Sequence, residues 1–245
     1  MTAHHETFRA LHHGREAADP LVLPGPWDAA SARAFADAGF PALATPSAGV
    51  AASLGHEDGA VPAAEMFAAV ARIVRAVDVP VSADVEGGYG LAPKELVARV
   101  LETGAAGCNL EDSDAATGSL KDPRRHADWL AEVVAEADGA LFVNARVDTF
   151  LRGVSDPREA IVRLRLYAEA GADCVYPILA PPEHLPLLRA GTDLPINAFA
   201  PAADPPVAEL GRLGATRITF GPGLQRRAQA AVTDMARELR RGLGA

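Results

Sequence analysis

The feature that most constrains this chain is an alternation: a helical segment, a short Gly- or Asp-containing turn, then a brief apolar run. The turns read AGF-PAL, VDVPVSA, TGAAGCNL, ADGALFV, AGADCVY, TDLPINA and LGATRITF. A Gly or Asp just past a helix suits the C-terminal cap, where the backbone often turns left-handed. Eight apolar runs result: Leu21–Leu23, Ala42–Thr45, Val81–Asp84, Gly107–Glu111, Leu141–Arg146, Cys174–Ile178, Ile196–Phe199 and Arg217–Phe220. Each is too short for a helix and is bounded by turn residues, which predicts a strand. Between them, Met66, Phe67, Val70, Ile73, Val74 and Val77 keep helical spacing within Ala63–Val77. Leu224, Ala228, Val232, Met235 and Leu239 form a similar stripe near the C-terminus.

Eight strand–helix units in 245 residues give an α/β fold of the (β/α)8 TIM-barrel type first claim. A doubly wound open sheet comes second, because Gly87-Gly88-Tyr89-Gly90 does not match a dinucleotide fingerprint. No linker, charge run or low-complexity tract divides the chain. The expectation is one domain over 1–245 with a short helix around Thr7–Glu16 at its start. Aromatic residues make up only 5% of the chain, so Ala, Val, Leu and Ile must supply the core. Asp and Glu number 32 against 23 Lys and Arg, which argues against a nucleic-acid binder needing a basic face. Cys108 and Cys174 sit in apolar runs without metal-ligand spacing and read as buried thiols. No apolar h-region or membrane-length stretch is present, so the expected location is cytoplasmic.

In such a barrel, chemistry belongs at the carboxyl ends of the strands. Asp28 follows the first strand, Ser47 and Asp58 the second, and Asp84 with Glu86 the third. The fourth ends in Asn109, Glu111 and Asp112, and the fifth in Asn144, Arg146 and Asp148. Tyr176 lies on the sixth and Asn197 on the seventh; the opposite ends carry mostly Pro, Gly and Ala. A strand through Asp84 and Glu86 would point both the same way, with Glu111 beside them. Two carboxylates at ~6 Å repel by roughly 3 kcal/mol at an effective dielectric of about 20. Three or four in one mouth need a cation or raised pKa values. A divalent metal with all-oxygen ligands answers that need, Mg²⁺ first and Mn²⁺ second. Ser47, Ala48 and Gly49 could offer backbone N–H groups to an anion. Arg146 demands a carboxylate or phosphate partner, and the long loop carrying Asp58 has the length of a functional one.

Taken in order, PGPWDAASARAFADAGFPAL, TPSAGVAASLGHEDG, SADVEGGYG, NLED and NARVDTF resemble the isocitrate lyase/phosphoenolpyruvate mutase superfamily, from about Leu23 to Phe150. GADCVYPI, LPINAFA and RITFGPG continue the resemblance more weakly. It implies a (β/α)8 barrel whose last helix is exchanged between subunits, in a homotetramer. It implies that Asp84, Glu86 and Glu111 hold Mg²⁺ directly or through water, with Glu86 replacing the usual Asp. It implies that Ser47, Ala48 and Gly49 bind the substrate carboxylate, that Asp58 lies beside the reacting bond, and that Arg146 binds the anionic end. Asn109, Tyr176 and Asn197 are further substrate-binding candidates. The KKCGH-type motif of isocitrate and methylisocitrate lyases is missing; the corresponding stretch, LEDSDAATGSLKDPRRHADW, has no cysteine. The expected activity is Mg²⁺-dependent cleavage or rearrangement of a C–C or P–C bond beside the carbonyl of a small 2-oxo acid, through an enolate. Oxaloacetate decarboxylation or C–C lysis comes first. Phosphonopyruvate hydrolysis or phosphoenolpyruvate mutase chemistry, on a phosphono acid substrate, is second, and a catalytically silent 2-oxo-acid-binding barrel is the alternative from another class.

Overall fold

The computed structural model describes residues 4–200 and 205–242. Of the span expected as one domain, 1–3, 201–204 and 243–245 lie outside the described residues. The eight strands are β1 Leu21–Val22, β2 Leu43–Thr45, β3 Val81–Asp84, β4 Gly107–Glu111, β5 Phe142–Val147, β6 Cys174–Pro177, β7 Asn197–Phe199 and β8 Arg217–Thr219. Helix α1 (His4–Leu11) precedes them. The others are α2 Ala29–Asp37, α3 Ser47–Leu54, α4 Ala63–Val74, α5 Pro93–Glu102 and α6 Pro123–Ala137. After these come α7 Pro157–Glu169, α8 Leu185–Arg189, α9 Val207–Arg212 and α10 Gly223–Gly242.

All pairings between these strands are parallel, in the orders β2-β3-β4-β5-β6 and β1-β8-β7. Two narrow seams join the halves. The Ala44 N–H donates to the Pro24 carbonyl at 3.2 Å, and Val175 pairs with Ile196 in a parallel bridge. The result is the (β/α)8 barrel expected. Local chemistry sets its helices: Asp122 and Asp156 accept hydrogen bonds from the first turns of α6 and α7, each with Pro at the first helical position. Asp28 is likewise a cap, closing a capping box with Ser31 on α2, and takes no part in the rim chemistry.

Two helices differ from their expected bounds. The first ends at Leu11 rather than Glu16, because His12 and His13 bond three residues back and Gly14 turns left-handed at φ 67°. Helix α4 stops at Val74 rather than Val77, where Ala76 and Val77 make the same tight bonds.

Strand alternation divides the chain's side chains between two cores. Leu43, Val81, Cys108, Val143 and Val175 face outward and pack under the helices. Leu21, Ala42, Phe142 and Cys174 fill the lower barrel, which Phe8 of α1 closes from below. Gly107 is required at this floor: a Cβ there would stand 2.7 Å from the Phe142 carbonyl oxygen. Above the floor lies a buried polar layer of Ser82, Asn109, Asn144, Asn197 and Arg217. Above that, at the carboxyl ends, the acids and Arg146 collect.

Candidate active site

The register of β3, β4 and β5 sets Asp84 beside Asn109 and Glu111 beside Arg146. Arg146, 8% exposed, is the centre of the rim. Its guanidinium reaches Asp84 at 3.7 Å, pairs with Glu111, and grips Asp148 through Nε at 2.7 Å and Nη2 at 3.0 Å. Burial opposes its charge, but Asp84, Asp148 and Glu111 outweigh burial and hold it more firmly protonated than a free arginine.

Glu86 lies outside the strand. The chain leaves β3 at Asp84, and Glu86 takes a left-handed backbone at φ 54°. Its side chain therefore does not follow the strand alternation; its N–H donates to Asp84 Oδ1 at 3.2 Å, and its Oε1 is buried without a hydrogen-bond partner. Burial, with the charges of Asp84 and Asp58, pushes the Glu86 carboxyl up to about 7. Burial pushes Glu111 up to about 8, Arg146 only partly opposing. Asp58 is raised as well, by burial and then by Asp84.

Ser47, Ala48 and Gly49 form the first turn of α3 rather than a loop, with Pro46 at the cap. No residue of that turn has a carbonyl four positions back inside the helix, so its amides are available to an anion. Ser47 Oγ donates to Asp84 Oδ2 at 3.2 Å, which ties this turn to β3.

These groups share a cavity of about 490 Å³ lined at one end by Ser47, Asp58, Asp84, Asn109, Arg146 and Tyr176. Asn197 sits below it, fully buried, with Nδ2 donating to Thr219 Oγ1 at 2.9 Å. Glu86 and Glu111 are not among the residues lining the cavity.

Among the described residues no three His, Cys, Asp or Glu side chains converge closely enough to cage an ion. Arg146 occupies the centre. The donor set still fits Mg²⁺, which binds through one or two carboxylates and keeps several waters. Asp84 would hold the ion directly, and Glu86, whose Oε1 lacks a partner, would reach it through water.

One part of the site has no motif of its own. Behind Arg146, Asp148 also accepts from Ser113 Oγ at 2.5 Å, and its N–H donates to Asp112 Oδ1 at 2.8 Å. Asp112 Oδ2 in turn accepts from Tyr167 OH at 2.7 Å and Arg163 Nη1 at 2.9 Å, both from α7. The signal was available in outline: an arginine on the inner face of an amphipathic helix needs a buried acid.

Barrel, acidic rim, arginine and helix-start amides together have the make-up of an enzyme active site at the carboxyl ends of the strands. The phosphoenolpyruvate phosphomutase family model matches residues 8–240, and the chain belongs to this family, within the phosphoenolpyruvate mutase/isocitrate lyase superfamily of C–C and P–C lyases and mutases. An uncharacterized protein of Mycobacterium tuberculosis is 37% identical over 219 residues, 88% of this chain and 81% of that protein. The 2-methylisocitrate lyase of Bacillus subtilis (strain 168) is 31% identical over 179 residues, 69% of this chain and 58% of the lyase. Among solved structures, a Burkholderia cenocepacia J2315 protein ascribed a phosphonomutase identity is 40% identical, with a TM-score of 0.90 over 96% of this chain and 100% of that one.

Proposed function

We propose that this chain is a Mg²⁺-dependent enzyme that cleaves or rearranges a C–C or P–C bond beside the carbonyl of a small 2-oxo acid. The observation that carries the reading is one cavity containing Asp84, Asp58, Arg146 and the α3 amide turn. Mg²⁺ bound there would supply Lewis-acid stabilisation of negative charge on the keto oxygen. The Ser47–Gly49 amides bind the substrate carboxylate and Arg146 orients its anionic end. With an oxaloacetate-type acid, the C3–C4 bond breaks, CO2 leaves, and its bonding pair remains as an enolate. A proton delivered at C3 completes the reaction. Asp58, whose carboxyl burial and the nearby Asp84 push upward, would carry that proton.

Methylisocitrate or isocitrate cleavage fits less well. A cysteine acid is needed in those enzymes, and both cysteines here are fully buried: Cys108 under the helices and Cys174 at the barrel floor. Phosphonopyruvate hydrolysis or mutase chemistry is the second reading. The solved phosphonopyruvate hydrolase complex with oxalate and Mg²⁺ shares the fold at 22% identity and a TM-score of 0.88.

The same reading extends to the whole molecule: a single domain, acting in the cytoplasm, assembled as a homotetramer with α10 exchanged between subunits. None of the described helices is long and apolar enough to cross a membrane.

The test is a coupled pyruvate assay with Mg²⁺ on oxaloacetate and phosphonopyruvate. Metal-dependent turnover that Arg146→Ala lowers by at least a hundredfold supports the proposal. Binding without turnover across the panel would instead make this a silent 2-oxo-acid-binding barrel.

A further inference from the structure

The cavity is two-faced. Besides its polar groups, among them Arg226 of α10, it is walled by Phe199 at the end of β7 and by Leu151, Ile178, Leu179 and Phe220, which follow β5, β6 and β8. Leu151 and Leu179 are 39% and 43% exposed, and exposed leucines in a concave wall beside a polar cluster are a ligand-binding signature.

This wall is built rather than loose. Leu179 holds a left-handed backbone at φ 57°, a conformation leucine adopts at a cost and one that concentrates at functional sites. The loop bearing Leu151 is fixed on both sides: Phe150 stacks on His184 at 5.8 Å, and Arg152 Nε donates to Ser113 Oγ at 2.9 Å. Phe199 is set by Gly221, where a Cβ would come within 2.9 Å of its ring.

The volume points the same way. At about 490 Å³ the cavity lies in the range of roughly 300–1,000 Å³ that encloses drug-sized ligands, far more than a four-carbon keto diacid fills. The segment from Asp112 to Asp122 is folded back on itself by a Ser113–Leu120 bridge. Its Lys121 lies over the Trp129 ring at 5.7 Å, in a separate recess. That leaves these four strand ends to select the substrate's distal part.

We infer that the substrates of this site are 2-oxo acids carrying an apolar alkyl branch or chain, which lies on the Leu151–Leu179–Phe199–Phe220 wall while the keto acid occupies the polar end. This rests on the reading of the polar end as a 2-oxo-acid site.

The experiment has two arms, both with Mg²⁺ and the full chain. In the first, calorimetry compares pyruvate, 2-oxobutanoate and 4-methyl-2-oxopentanoate. Each added carbon is expected to tighten binding about tenfold or more, the discrimination an apolar pocket gives per methylene. Leu151→Ser, at an exposed position that does not threaten folding, should cut the gain from pyruvate to the longest acid about tenfold. In the second arm, turnover of oxaloacetate is compared with that of 3-ethyl-oxaloacetate, corrected for spontaneous decarboxylation. A higher kcat/KM for the ethyl compound supports the inference. Affinity and kcat/KM that stay flat or fall with added carbon overturn it, while oxaloacetate turnover would leave the proposed function standing. Chain-length-dependent binding without any turnover supports the alkyl wall and removes the enzymatic reading.

Discussion

Arg146, near the end of β5, and Asp148, just past it, form a two-pronged pair through Nε–Oδ1 at 2.7 Å and Nη2–Oδ2 at 3.0 Å. Asp148 is fully buried, so the aspartate is a fixed anchor and the arginine the group presented to the cavity. A planar fork held this way keeps one orientation for an incoming anion. Asp148→Asn should leave a buried guanidinium short of charge and cost about 3 kcal/mol or more of stability. Urea unfolding reads that loss. Steady-state kinetics should show KM rising with the loss of orientation. A D148N protein as stable and as active as the parent would mean that Glu111 and Asp84 alone hold Arg146.

The metal assignment makes a prediction that needs no substrate. A ligand bound only by the folded state raises stability by RT ln(1 + [L]/Kd), about 2.7 kcal/mol at a hundred times Kd. Mg²⁺ should raise the melting temperature of the parent protein, with Mn²⁺ acting alike. Asp84→Asn should abolish the increase. A shift that survives this substitution places the ion elsewhere, and the absence of any shift in the parent removes the metal from the site.

The strands were legible because apolar runs between Gly or Asp turns are a local signal, and each predicted strand holds within a residue or two at its ends. Asp84, Glu111 and Arg146 were legible for the same reason, since strand alternation alone aims them at one rim. Glu86 departs from the expected alternation because β3 stops at Asp84, and nothing in the letter E announces a left-handed backbone. Asn197 was expected at the substrate, but the seventh strand places it one layer lower, against Thr219. An inner-face arginine called for a buried acid, but which acid Arg163 and Tyr167 share was not legible, because residues more than fifty positions apart meet at Asp112. Only tertiary packing brings them together. Leu151 and Leu179 carried no sequence signal, because only the concavity of the barrel mouth brings them into the cavity wall.

Two buried histidines make one contribution to how stability varies with pH, opposite in sign to that of the raised Glu86 and Glu111 carboxyls, and a histidine substitution isolates it. Burial pushes His126 down to about 3, helped by Lys121 and Arg163, and burial with Arg217 does the same to His12. Both remain neutral in the folded chain, whereas unfolding restores a value near 6.5. The unfolded state therefore takes up protons first. This contribution to stability is complete above about pH 6.5 and is lost as pH falls from there toward 3, by up to ~1.4 kcal/mol per pH unit for each histidine. Denaturant unfolding at pH 7, 6 and 5 measures the slope. His126→Leu, which removes a side chain whose Nε2 has no partner, should reduce that slope by one proton's worth between pH 6 and 5. An unchanged slope would show that His126 is protonated in the folded state.

Helix α10 presents the last prediction. It runs for 20 residues with no buried side chain, and leaves Val232, Met235 and Leu239 at 51%, 54% and 72% exposure. With Leu224 and Ala228 these residues make one continuous apolar stripe. A stripe of this length along an isolated helix loses the burial that ordinarily holds helices in place. On the proposed exchange between subunits it would gain a second surface, and a closed symmetric assembly would satisfy every copy at once. Light scattering should therefore find a tetramer, and Met235→Glu with Leu239→Glu should dissociate it, because charges on both positions make burial of the stripe costly. The barrel should survive as a folded smaller species, since these two side chains contribute nothing to either internal core. A parent chain that scatters as a monomer would instead leave α10 as a solvent-facing helix and remove subunit exchange from this protein.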